Sequence, residues 1–140
     1  MEKMVRFLRN AMIAVVLTLT AFSASAQTQW YRASSYAYKQ INSYGYWTNW
    51  SDWLSCNIPI KFDLDDDVIV IYSSRTQIYA VVSYNGQSSD GQGGVYASYS
   101  VIDQDYDRGT IRLRIESNGN SQIYIDFANV MWVYNVRRSG

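Results

Sequence analysis

The chain has 140 residues, balances twelve Lys and Arg against twelve Asp and Glu, and contains one cysteine and no histidine. That length suits one domain. Without imidazole there is no Ser-His-Asp or Cys-His activation of a nucleophile, and no usual zinc or copper ligand set.

Residues 1–26 read as an export signal. Lys3, Arg6 and Arg9 form a basic start, AMIAVVLTLTAF at 11–22 an apolar centre, and Ala24-Ser25-Ala26 a small-residue exit, with cleavage expected between Ala26 and Gln27. A membrane anchor is the competing reading, but the apolar run falls short of the ~20 residues that span a bilayer. No cysteine follows the exit to carry a lipid, and no later segment reads as a membrane-crossing helix. The expected destination is the periplasm or the cell exterior. Taking away the three basic residues and one acid of 1–26 leaves nine against eleven in 114 residues, a net charge of −2. Such a balance offers no footprint for nucleic acid or anionic lipid.

Beyond residue 26 the sequence reads as strand after strand. All thirteen tyrosines and five tryptophans lie there, among abundant Val, Ile, Thr and Ser, the composition that a pleated, half-buried surface selects. Strands are expected at about 29–38, 45–50, 57–64, 67–73, 76–84, 94–103, 109–117, 120–127 and 130–136. Period-two alternation carries several of them. Ile58, Ile60, Phe62 and Leu64 share one face; Ile111, Leu113 and Ile115 oppose Arg112, Arg114 and Glu116; Ile123, Ile125 and Phe127 oppose Tyr124 and Asp126. VIVIY at 68–72 and MWVY at 131–134 are apolar on both faces, as where both sides are covered. Asp65-Asp66-Asp67 and Asn118-Gly119 mark tight hairpins. Asn85-Gly86 opens a longer polar stretch to Gly94, expected as a mobile loop. Eight or nine short antiparallel strands form a meander, which must curl into a small up-and-down barrel or, as the alternative, a β-sandwich.

Trp47-Thr48-Asn49-Trp50-Ser51-Asp52-Trp53-Leu54-Ser55-Cys56 has the spacing W-x-x-W-x-x-W-x-x-C. It resembles the opening of thrombospondin type 1 repeats, but those depend on several disulfides, and Cys56 is alone. Three indoles so close together are either core or a stacking platform for flat ligands such as sugars. In an extended strand their spacing would turn at least one away from the others. Cys56 itself reads as a buried small hydrophobe or as half of an intermolecular disulfide.

Gly45-Tyr46-Trp47 resembles the G-x-W element of lipocalins. That resemblance implies a first-strand Trp packed on a late-strand Arg (Arg112, Arg114 or Arg137) and a ligand-binding cup. Asp103-Gln104-Asp105-Tyr106-Asp107-Arg108-Gly109 carries three candidate calcium ligands, Asp103, Asp105 and Asp107. However, Arg108 and Arg114 stand where an EF-hand loop places Gly and Glu, which favours a polar hairpin turn. Asn49-Trp50-Ser51 fits the N-glycosylation pattern. WSDW at 50–53, the run 58–84, the turn 103–109 and QIYIDFANVMWVYNV at 122–136 together resemble a group of small exported proteins from Gram-negative gut bacteria. The resemblance implies export and a β fold, and no activity.

The expectation is therefore a non-enzymatic, cofactor-free β domain that binds a small molecule, glycan or protein through Tyr44, Tyr46, Trp47, Trp50 and Trp53. One alternative is a structural or inhibitory protein that pairs through a sheet edge or Cys56. Another is a small carbohydrate-active enzyme with paired aspartates, which would need two carboxyls facing across a cleft.

Overall fold

The computed structural model describes residues 28–118 and 120–139, so the expected export signal and its cleavage site lie outside the described residues. Eight strands follow one another: β1 (Thr28–Gln40), β2 (Leu54–Asp63), β3 (Val68–Ile71), β4 (Gln77–Ser89), β5 (Val95–Ile102), β6 (Arg108–Ile115), β7 (Ser121–Asp126) and β8 (Val130–Arg138). Each pairs antiparallel with the next, and β8 returns to β1, closing a barrel in sequence order. The barrel, not the sandwich, is the fold.

Alternation decides what fills it. Ile60 and Phe62 of β2, Ile69 and Ile71 of β3, Ile111 of β6 and Ile123 and Ile125 of β7 are wholly buried. Phe62 sits at the centre, edge-on to Tyr31 at 5.5 Å and to Tyr99 at 5.7 Å. An eight-stranded barrel has an interior just wide enough for side chains. Here they pack it into a single core, not a cup.

Turns are fixed by their own side chains. Asp63 Oδ1 accepts from the Asp66 N–H and Asn118 Oδ1 from the Asn120 N–H. These are Asx-type bonds that replace the missing ladder partners.

Three expectations are corrected. The strand at 45–50 does not form: residues 42–53 are irregular, with one isolated bridge between Ile41 and Trp47. The stretch opened by Asn85-Gly86 is a loop only over its second half, 90–94. Gly86, at φ +90°, sits in a bulge that only glycine enters without strain, and β4 continues paired with β5 to Ser89. Cys56 is only half-buried, at the start of β2, packed against the core from the barrel mouth.

The short β3 shapes the rest. Its four residues cover only Ile60 to Asp63 of β2 and Gln77 to Ala80 of β4. Among the described residues, 54–58 of β2 and 82–89 of β4 therefore have a strand on one side only. One end of the barrel, here the upper, carries residues 41–53, 72–76, 103–107 and 127–129; the other carries 64–67, 90–94, 116–118 and 120.

Candidate functional site

Aromatic side chains gather at the upper end. Trp47, Trp50 and Trp53 are 39%, 41% and 51% exposed, and Tyr44 and Tyr46 more so at 84% and 72%. The core reading of the indoles is thereby corrected, and all five sequence-selected residues lie on one loop. Large aromatics normally pack inside, so clustered exposure of this kind makes the loop the candidate site.

The loop is not loose. Asn42 Oδ1 accepts from the N–H groups of Tyr44 and Tyr46, and Gly45, at φ +83°, completes that turn. Thr48 exchanges two bonds with Gln40: its N–H reaches the Gln40 carbonyl at 2.8 Å, and its Oγ1 accepts from the Gln40 N–H at 3.1 Å. Ser51 does the same with Tyr38, at 2.8 and 3.0 Å. Polar side chains thus supply half of a ladder along β1. That is why these residues run beside the strand without forming one. Lys39 projects its ammonium over two indoles, 5.5 Å from Trp47 and 4.9 Å from Trp50. A cation this close to two ring faces holds them on one side of the loop and helps keep them from collapsing into the core. The spacing of three had suggested divergence; an irregular backbone removes that constraint for Trp47 and Trp50.

An open groove lies at the same end, between the β3–β4 and β5–β6 turns. It encloses about 410 Å³, with Tyr79 and Trp132 among its lining and Arg75, Asp103, Gln104 and Asp105 at its polar side. Tyr79 donates to Gln77 at 2.6 Å, and Gln77 in turn donates to the Ser73 hydroxyl. Burial pushes the Tyr79 and Tyr134 hydroxyls above their ordinary range. Sequence reasoning missed this groove. Its residues come from turns far apart in the chain, and only the barrel register brings them together.

The calcium candidates do not converge. Asp103 Oδ1 accepts from the N–H groups of Asp105 and Asp107, the work of a turn cap. Among the described residues no three acids or cysteines gather around a common point. Asp103 and Asp105 also stand on one turn, whereas glycoside hydrolysis needs carboxyls on opposite sides of the substrate. The lipocalin pairing is corrected too: Trp47 lies in a loop beside Lys39 and not on the first strand.

A second cluster, also missed, covers the outer face of β5–β7. The Arg112 guanidinium lies 5.1 Å from the Tyr96 ring and 4.4 Å from that of Tyr124, and bonds Asp126 at 2.6 Å. Arg114 pairs with Asp90 at 2.7 Å and with Glu116. These groups satisfy one another, so they brace the sheet.

Comparison with protein-family models, curated proteins and solved structures finds no match to this chain.

Proposed function

We propose that this chain is an exported, non-enzymatic binding domain whose contact surface is the aromatic loop at 42–53. One observation carries the reading: five large aromatics are held in water on a loop whose backbone is tied to β1 by the side chains of Thr48 and Ser51. Folding gains little from exposed rings, so ordering them in advance is useful chiefly for a partner, whose binding then costs less entropy. The histidine-free composition and the turn-bound Asp103 support contact over chemistry.

The test is Trp emission of the folded chain titrated against glycans, lipid vesicles and candidate proteins. A response that disappears in Trp47→Ala/Trp50→Ala, with the melting temperature retained, supports the surface. Emission indifferent to every class would overturn it.

A second reading has its own observation. Among the described residues, nothing pairs with 54–58 of β2 on one side, and an uncovered edge is a template for another strand. Light scattering and non-reducing gels decide it: a Cys56-linked or edge-paired dimer favours this reading, and a monomer removes it.

A further inference from the structure

We propose that the groove between the β3–β4 and β5–β6 turns is a subsite for a neutral pyranose, and that the aromatic loop and this groove together hold a glycan long enough to reach both. The inference rests on the aromatic loop being the binding surface and names the ligand class.

A pyranose offers an apolar C–H face and a ring of hydroxyls that each donate and accept. Its recognition needs an aromatic plane beside a mixed set of donors and acceptors, without a dominant charge. The groove has these parts. Trp132 lines it, already held by stacking on Phe127 at 6.3 Å and 10° between planes. Its volume of about 410 Å³ falls in the range of small-molecule sites.

The polar groups are complementary in kind. Arg75 supplies donors only and forms no ion pair among the described residues. Gln104 Oε1 accepts from the Ile78 N–H at 3.2 Å, which leaves its amide N–H groups for a ligand. Asp103 uses one carboxylate oxygen for its turn, and Asp105 stands beside it. One cation against two carboxylates leaves these turns at −1, which tells against a phosphate, while donors of Arg75 and Gln104 beside carboxylate acceptors suit hydroxyls, which both donate and accept. Deeper in, Tyr79, Gln77 and Ser73 already satisfy one another.

The groove and the platform stand on the two faces of the β1–β8 rim, because Lys39, beneath Trp47 and Trp50, alternates with Tyr38 along β1. Trp132 is the cross-strand partner of Tyr38 in the β1–β8 ladder, and Tyr38 is the residue to which Ser51 anchors the aromatic loop. Both surfaces therefore flank one pair of strands at one end of the barrel.

The experiment is isothermal titration of the folded chain with four linear hexasaccharides: cellohexaose, maltohexaose, β-1,4-mannohexaose and N-acetylchitohexaose. Two variants accompany it, Trp50→Ala on the platform and Arg75→Ala/Asp105→Asn on exposed turn residues of the groove. Circular dichroism checks that both keep the wild-type melting temperature. The expected result is saturable binding of at least one hexasaccharide, weakened about tenfold or more by each variant. No binding by any of the four overturns the glycan assignment and leaves the platform open to another ligand class. Loss in Trp50→Ala with no change in Arg75→Ala/Asp105→Asn overturns the groove alone. The reverse pattern overturns the platform, and with it the two-point contact.

Discussion

At the scale of single residues, two positions concentrate the physics of the lower and upper turns. Asp90 ties off the β4–β5 hairpin. Its carboxylate accepts from the N–H groups of Gln92 and Gly94 and from the Arg114 guanidinium, and these bonds hold its pKa below the ordinary 3.8. A lowered folded pKa means that the unfolded chain takes up the proton first as pH falls. The contribution of Asp90 is thus fully present above pH 3.8 and fades as acid titrates the folded carboxylate below it. Asp90→Asn should lower stability at neutral pH and flatten the acid limb of a pH–melting curve below pH 4; an unchanged limb would refute the assignment. Gly109 makes a different demand. A Cβ there would meet the Phe127 ring at 2.7 Å and the Asp126 carbonyl at 2.8 Å. The ring can shift but the backbone oxygen cannot do so cheaply, so Gly109→Ala should cost about 1–3 kcal/mol in chemical denaturation.

At the scale of elements, legibility followed periodicity. β2, β6 and β7 could be read from Ile58, Ile60 and Phe62, from Ile111 and Leu113, and from Ile123 and Ile125, because one face of each meets the core. Two elements escaped for the same reason: local sequence carries the turn-forming tendency of a residue but not what lies opposite. Asn85-Gly86 has hairpin chemistry, yet Tyr84 to Ser89 finds β5 in register, with Asn85 bonded to the Ser100 hydroxyl at 2.9 Å, and the glycine becomes a bulge. Two such irregularities on β4 also twist an otherwise uncovered edge, a known guard against edge pairing. The aromatic loop was readable by composition, since all five of its candidate residues are exposed. Its rigidity was not, because Thr48 and Ser51 meet β1 only once the loop is laid beside it. Asn42→Ala tests that rigidity. Losing two exposed side-chain bonds should cost about 1 kcal/mol, felt locally. Amide exchange at Tyr44 and Tyr46 should rise while that of β6 and β7 stays put; equal rises throughout would mean that the loop is part of the global fold.

At the scale of the whole molecule, closure rests on a tyrosine-rich core. The barrel could be argued from eight or nine expected meander strands, but not the filling of its interior by Tyr31, Tyr79, Tyr99 and Tyr134 around Phe62, for a tyrosine does not announce which of its two faces it serves. Phe62→Ala should therefore be among the costliest single changes, about 3–5 kcal/mol in denaturant unfolding. The same core sets an alkaline limit. Burial raises the phenol of Tyr31 from 10.0 to about 12, with Arg138 pulling slightly the other way, and pushes those of Tyr79 and Tyr99 higher still. In the unfolded chain these phenols ionise near pH 10, so above that value the unfolded state sheds protons that the folded state keeps. Stability should hold up to pH 10 and fall steadily from pH 10 toward 12 as each buried hydroxyl adds to the bias. Phenolate absorbance and circular dichroism followed together through this range should show the last tyrosines ionising in step with loss of the β signal. In Tyr99→Phe the fall should be shallower above pH 10, because one of the hydroxyls that drives it is gone. Full ionisation of all thirteen tyrosines with the β signal intact would show that the interior admits hydroxide, and that the core is not the closed layer described above.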